Sequence, residues 1–517
     1  MEQTRTNKVI WNTGLLTVAA LLLRGAGVWF NALLAGRAGA AGVGLFSLLM
    51  SVYGLALTFG GAGVRLAATR LTAEERNVRR PGGGMGHVFR LALLLSIAAA
   101  LLLYFCADLA AEQWLHDARA ARALRLLAPS IVPVTLSAAL GGYCNAAGAV
   151  VPFAAVQLIE QGIKIVATLT ALKGSSGSTE AVCAAMAIGI TVGEWLSCAL
   201  SFGVYGVFGL MQRHSQADTK TEAPTPLRTL LRIAAPDGLG ASARGILLTA
   251  EHLLIPPGLR KSGADGDVAL AAYGTIHGLT LPLLLYPSAV LSSLANLLVP
   301  EVARLRSGQN PRRIQDISTR LIHLTLVFAL GTAAVIFAFA PQLASAVYGN
   351  TGAADSLRLL APLIPIMYLD MTVDGILKGL DEQKAVMRYN VMDSALCVLL
   401  VLIALPPLGV RGYYLLLYAA ELLNFTLSAN HLLTVASADL HLWESVGKPT
   451  LCALLAWGGT QLLFGKAAGA LSPVPAAVLL VAWMAALYLV LQIVTSKKTM
   501  RGLGSLPSPN FPLRKQL

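Results

Sequence analysis

Long apolar runs recur from one end of the chain to the other, and polar residues collect in the short breaks between them. About 20 apolar residues in a helix cross the hydrocarbon core of a bilayer. Within lipid, only helices and closed barrels satisfy their own backbone groups, and runs this long are helical. The pattern predicts fourteen spans, near 9–34, 42–69, 87–108, 122–146, 151–172, 181–210, 229–255, 268–299, 315–341, 356–379, 384–405, 410–436, 446–465 and 474–495. The fold class is therefore an all-α polytopic membrane protein of about fourteen transmembrane helices. The first run follows Arg5 and Lys8, is too long for a secretion signal and carries Arg24, so it is expected to be a retained first helix.

Composition agrees with this pattern. The 517 residues are 56% hydrophobic and 13% charged, with mean hydropathy +0.67. A soluble chain carries about 25% charged residues, so no sizeable soluble domain is expected. The net charge of +13 would suggest nucleic acid on a soluble protein. Here it follows the spans instead. With the N-terminus placed in the cytoplasm, 25 Lys and Arg fall in cytoplasmic segments and 10 in outer loops. That bias predicts cytoplasmic N- and C-termini and removes nucleic acid as a partner.

The sequence has no phosphate loop ending in Lys-Ser/Thr, no clustered Cys/His spacing and no Gly-x-Ser-x-Gly elbow. No catalytic residue, metal or cofactor is expected. Direct use of ATP would require a partner to supply it.

An internal repeat divides the chain. Ala128-Pro129 and Ala361-Pro362 open similar segments, and at the same offset Gly142 matches Gly375, Gln157 matches Asn390 and Glu160 matches Asp393. Each copy holds six spans in the same topology, which implies two lobes related by an axis along the membrane normal. The expected organisation is an N-lobe at 1–211, a cytoplasmic linker at 212–228 and a C-lobe at 229–437. Residues 438–517 add spans 13 and 14 and a basic cytoplasmic tail.

Four bases lie inside apolar spans: Arg24, Arg65, Lys164 and Arg244. A lone arginine at helix centre costs roughly 3 kcal/mol on insertion scales, so it normally faces water or a partner. Buried positive charge points to a path for something anionic. Arg24 and Arg244 open the two lobes, while Arg65 also reads as a helix-end arginine reaching the headgroups. Lys164 lies one turn after Glu160, at the spacing of an ion pair on one face, which suits a structural pair as well as a substrate contact. Glu251 follows Arg244 by two turns. Asp370, Glu421 and Glu194 are candidates to couple a cation (H+ or Na+). His252 and His277 are lone polar residues within spans that can titrate near neutral pH.

The opening run resembles a known group: Gly14-Leu15-Leu16, Leu23-Arg24-Gly25-Ala26-Gly27, Leu34-Ala35-Gly36-Arg37-Ala38-Gly39 and Gly42-Val43-Gly44-Leu45-Phe46. So do Leu254-Ile255-Pro256-Pro257-Gly258-Leu259, Leu298-Val299-Pro300-Glu301 and Gly375-Ile376-Leu377-Lys378-Gly379-Leu380. In order and spacing these resemble the multidrug/oligosaccharidyl-lipid/polysaccharide exporter superfamily, and within it the polysaccharide biosynthesis proteins related to stage V sporulation protein B and the lipid II flippases. One departure is Gly141-Gly142-Tyr143-Cys144-Asn145-Ala146, where an Arg-Gly-x-x-Gln-Gly-like turn is expected.

The resemblance implies two six-helix lobes in a pseudo-twofold V. It also implies a flippase that carries a polyprenyl-diphosphate-linked saccharide across a bacterial inner membrane, with lipid II among the cargoes and a sporulation role within range. Arg24, Arg65, Arg244, Glu251, Lys164 and Glu160 are then the substrate-binding candidates. Possible partners are the lipid-linked saccharide, the bilayer and cell-envelope synthesis enzymes around a monomer; coupling is to a cation or the membrane potential. Two other readings stay open: a cation-coupled multidrug antiporter of the same fold, and a non-transporting envelope-synthesis scaffold.

The charge bias makes a direct prediction. A fluorescent protein fused after Leu517 should fluoresce, and alkaline phosphatase fused there should be inactive; the opposite result would place the C-terminus outside.

Overall fold

A computed structural model describes residues 2–61, 63–77, 84–147, 149–174, 177–215, 227–307, 311–349, 352–436, 443–464 and 473–495. Among these residues all regular structure is helical. Most of the expected linker and the basic tail lie outside them.

The long helices follow the hydrophobic pattern closely. They are α1 (Glu2–Gly61), α2 (Val64–Asn77), α3 (Gly84–Phe105), α4 (Ile131–Ala147), α5 (Val150–Lys173), α6 (Thr179–Ser215), α7 (Leu227–Lys261) and α8 (Gly266–Tyr273). They continue with α9 (Ala289–Ser307), α10 (Pro311–Ala338), α11 (Ile364–Gly379), α12 (Gln383–Leu408), α13 (Val410–Ala436), α14 (Lys448–Phe464) and α15 (Pro473–Thr495). Ten stretches among the described residues are long and apolar enough to cross a membrane.

Three local features depart from the simple pattern. Spans 1 and 2 form one helical run, α1, bent at Gly39 with φ 68° and ψ −177°. That backbone region is open essentially to glycine alone. Span 2 then breaks after Gly61, and α2 restarts beyond Gly63, whose φ is 77°; Arg65 thus stands in the first turn of a new helix. Span 8 breaks at Tyr286-Pro287-Ser288, where Pro287 has no N–H to continue the ladder, and α9 begins at Ala289.

The Gly141–Ala146 segment, read from sequence as a turn, is instead the helical end of α4, with Gly141, Gly142, Tyr143 and Cys144 buried. A Cβ on Gly142 would come within 2.5 Å of the Arg65 carbonyl oxygen, so the missing side chain lets α2 rest on α4.

The internal repeat is visible in the element boundaries. Helix Ala121–Leu127, a 3₁₀ turn at Ala128–Ser130, α4 from Ile131 and α5 from Val150 recur 233 positions later. Their counterparts are helix Ala354–Leu360, a 3₁₀ turn at Ala361–Leu363, α11 from Ile364 and α12 from Gln383. In both copies the proline fills an early helical position, where its absent N–H has no partner to lose.

Packing divides the chain into two compact units. One gathers 22–282 with 387–420. Its core includes Val64, Ala67, Ala68, Leu71, Val88, Ala139, Tyr143 and Cys144. Small residues dominate because apolar association in lipid comes from close van der Waals contact and not from expelling water. The other unit gathers the first 21 residues, 283–386 and 421–517. Within it α14 and α15 dock on α10: the Tyr488 hydroxyl donates to the Val327 carbonyl at 2.7 Å, and Tyr488 lies across Gly331.

The Gly39 bend is testable. Gly39→Ala forces a side chain into a glycine-only conformation and should destabilise the fold by about 1–3 kcal/mol, read as a lower melting temperature in detergent. An unchanged melting temperature would show that α1 is not bent there.

Candidate functional site

The first charged cluster joins α5 and α6. Lys164 Nζ lies 2.5 Å from Glu160 Oε1 and 2.6 Å from Glu194 Oε1, and the three side chains are only about one-seventh exposed. The Ser197 hydroxyl donates to Glu160 Oε2 at 2.5 Å. The i,i+4 pair expected from sequence is present, and Glu194 joins it from the neighbouring helix. Two carboxylates share one ammonium.

Close helix approach makes the cluster possible. A Cβ on Gly193 would overlap the Lys164 side chain, so this glycine is the seat over which the lysine reaches Glu194. Ser197 was not singled out in the sequence, although it lies three residues after Glu194, on the same helix face.

The second cluster lies on the seam between α7 and α12. These helices run parallel, with Gly240 against Met387 and Gly258 against Leu405. Between those contacts the seam brings together Arg244, Glu251, Asp393 and Cys397. Glu251 is buried and hydrogen-bonds with Cys397, and Asp393 lies within electrostatic range of both Glu251 and Arg244. Asp393 is the repeat partner of Glu160, and Cys397 stands where the first copy has Lys164. The second copy therefore carries its acids without an internal ammonium. Cysteine offered no charge signal, so its place beside Glu251 was hidden in the sequence.

The basic candidates divide by environment. Lys164 is held by two carboxylates. Arg65 and Arg244 are exposed, and neither forms an ion pair within 4.0 Å among the described residues. Arg24 is half-buried in α1.

The remaining acid candidates lie in the other unit. Asp370 on α11 accepts a hydrogen bond of 3.0 Å from the Asn424 side chain of α13. Glu421 lies three residues before Asn424 and is half-buried. Asp374, one turn beyond Asp370, sits 3.6 Å from Lys378 and accepts from Ser428 at 3.4 Å. The structure thus joins Glu160, Lys164 and Glu194 in one cluster and Arg244 and Glu251 along one seam, while Asp370 and Glu421 belong to a separate packing unit.

Comparison with known proteins places this geometry. Residues 9–256 match the family model described as polysaccharide biosynthesis protein, and residues 262–403 match the MatE model. Stage V sporulation protein B of Bacillus subtilis (strain 168) is 25% identical over 413 residues, covering 77% of this chain and 79% of that protein. Among solved structures, the lipid II flippase MurJ in an inward closed conformation superposes with TM-score 0.71 at 14% identity, over 94% of this chain and 100% of the other. An inward-facing multidrug resistance MATE transporter of the MOP superfamily gives 0.59 at 16% identity, over 82% and 96%. A MOP superfamily transporter from Pyrococcus furiosus Vc1 (DSM3638), with a binding pocket described as reversed in polarity, gives 0.56 at 16%, over 86% and 95%.

The α5–α6 cluster predicts an order of stabilities. Lys164→Ala leaves two buried carboxylates facing each other, and breaking such a pair costs about 3–5 kcal/mol. Glu194→Gln leaves a one-to-one pair and should cost less. Thermal unfolding in detergent should therefore rank Glu194→Gln well above Lys164→Ala; equal melting temperatures would mean that the ammonium is not shared.

Proposed function

Because the chain belongs to the multidrug/oligosaccharidyl-lipid/polysaccharide exporter superfamily, within its polysaccharide biosynthesis and lipid II flippase relatives, we propose that it is a multi-pass flippase for a polyprenyl-diphosphate-linked saccharide. It moves the headgroup from the cytoplasmic to the outer leaflet of a bacterial inner membrane by alternating access, with both termini cytoplasmic. The observation that carries this reading is a pair of exposed guanidinium groups, Arg65 on α2 and Arg244 on α7, which form no ion pair within 4.0 Å among the described residues. Arginine's planar fork matches phosphate oxygens two at a time. Arg24, on the first helix of the N-lobe, adds a third base facing the same anionic headgroup.

The breadth of the fold likeness supports the same reading. The flippase structure covers 94% of this chain and the multidrug transporter 82%. Helices α14 and α15 follow the six-plus-six repeat. The polyprenyl tail stays in the bilayer, with these helices beside it.

The membrane potential favours outward movement. Two negative charges crossing 100 mV gain about 4–5 kcal/mol, at roughly 2.3 per charge. Glu194, Asp370 and Glu421 remain the candidates for an added proton or Na+. The Lys164 cluster serves as framework more than as headgroup ligand, because its ammonium already has two carboxylates.

A second reading, the cation-coupled drug antiporter, is favoured by the MatE match over 262–403 and by the Glu251–Asp393 acid pair on α7 and α12. An organic cation would suit that pair. Broad hypersensitivity of a deletion strain to cationic dyes supports the antiporter; unchanged dye tolerance supports the flippase.

In proteoliposomes, Arg24→Ala with Arg244→Ala should reduce translocation of a polyprenyl-diphosphate sugar at least ten-fold, the loss of about 1.4 kcal/mol or more of headgroup binding. Membrane insertion and melting temperature should be retained. Unchanged flipping by the well-folded double variant would refute the diphosphate assignment.

A further inference from the structure

The transport reading leaves a half-buried pair of histidines unused. His252 lies on α7, and His277 lies just beyond α8. Their rings meet edge to face with centroids 4.3 Å apart. His277 stacks on Tyr273 at 5.2 Å, and Tyr273 on Tyr413 of α13 at 6.4 Å. His252 Nδ1 lies 2.8 Å from the Ser51 hydroxyl of α1, whose oxygen is also 3.0 Å from the Ser47 carbonyl. One hydroxyl proton serves two neighbours, so Ser51 can donate to either; donating to Ser47, it accepts from His252. This bond therefore survives a change in the ring's protonation state.

The backbone around the pair is built for close approach. A Cβ on Gly44 would overlap the Leu270 carbonyl, one on Gly274 the Ala40 carbonyl, and one on Gly278 the Val43 side chain. Beyond α8 the helix widens into a π-helical turn at Gly274–Thr280, where the Leu281 N–H reaches back to the Ile276 carbonyl. Such turns recur at functional positions. Pro282 has no N–H for the Gly278 carbonyl, and Asn31 of α1 donates to that carbonyl at 2.7 Å instead. Next to the start of α8, the Arg119 guanidinium bridges Asp117 at 2.6 Å and Asp267 at 3.2 Å. The seam where α1 meets α7 and α8 is thus held by close backbone crossings and by hydrogen bonds from Asn31 to the Gly278 carbonyl, from Thr249 to the Ser51 carbonyl and between Ser51 and His252.

The surroundings offer a charged imidazole little compensation. Ser51 faces it from α1 and Tyr273 from α8, with Tyr413 of α13 behind Tyr273, all neutral. On α7 the neighbouring acid is Glu251, which is engaged with Cys397 and interacts with Asp393 of α12. Neither histidine forms an ion pair among the described residues.

We propose that the His252–His277 pair is a proton-binding site that couples pH to opening of the seam where α1 meets α7 and α8. A proton bound there places positive charge between two half-buried rings packed against neutral side chains. The packed seam therefore holds the proton more weakly than an opened, hydrated one. By linkage, a ligand shifts a two-state equilibrium toward the state that binds it better. The packed state, with both rings neutral, dominates at high pH and loses ground as pH falls. The inference goes beyond the flippase reading and does not depend on the cargo.

The test is hydrogen–deuterium exchange of the full-length protein in nanodiscs without substrate, at about pH 8 and about pH 5.5, either side of the ordinary histidine range. After correction for intrinsic exchange, peptides covering 40–51 and 268–280 should exchange about ten-fold faster at the acid pH, while α14 and α15 stay unchanged. His252→Gln with His277→Gln should abolish the acid response; if that variant does not fold, each single substitution should reduce it. Glu251→Gln should keep it. Absence of a response in the wild-type protein overturns the proposal, as does a full response in the histidine variants or its loss on Glu251→Gln alone. Because no cargo is present, this outcome is independent of the flipping assay.

Discussion

Hydrocarbon cannot solvate a backbone amide or a charged side chain, and this constraint governs the architecture. It makes nearly every described residue helical. It also decides where charge survives. Lys164 persists because two carboxylates hold its ammonium, and the Ser197 hydroxyl in turn donates to one of them, Glu160. Broken backbone ladders obey the same constraint: the carbonyl that Pro282 leaves without a helical partner is taken by Asn31 from another helix. The bend in α1 and the restart of α2 fall at glycines, Gly39 and Gly63.

Glycine plays the part that large side chains play in a soluble core. Gly193 lets Lys164 pass between helices, Gly142 lets α2 rest on α4, and Gly44 with Gly274 lets two backbones nearly touch. Each site exchanges side-chain volume for shorter helix separation, which strengthens dispersion contacts in a medium that gives no hydrophobic drive. The repeat shows how the same frame can carry different chemistry. Its boundaries coincide in both copies, yet an acid–base pair in one becomes an acid–thiol pair in the other.

Hydrophobic patterning made the frame legible. The expected span 410–436 coincides with α13, and 474–495 differs from α15 by one residue. The repeat offset read from Ala-Pro and Glu160/Asp393 also holds for whole elements. What stayed hidden depends on geometry that pattern does not encode. The bend at Gly39 is a matter of one dihedral pair inside an uninterrupted apolar run. The break at Pro287 turns on one missing N–H inside a long apolar run. Glu194 stood out as an intramembrane acid, but its attachment to Lys164 spans 30 residues and required knowing which faces of α5 and α6 meet. Likewise, the histidine pair is separated by 25 positions, and each looked solitary along the chain.

The packing units are not contiguous in the chain, and that has a consequence for biosynthesis. The unit holding Glu251 needs residues 387–420, yet about a hundred residues of the other unit emerge from the ribosome first. At 5–20 residues per second, that interval lasts roughly 5–20 s. During it, a nascent chain already inserted through α7 exposes an acid whose thiol partner has not yet been made. Nascent intermediates of this kind are natural clients for insertases and membrane proteases, so the order of translation itself sets a window of vulnerability.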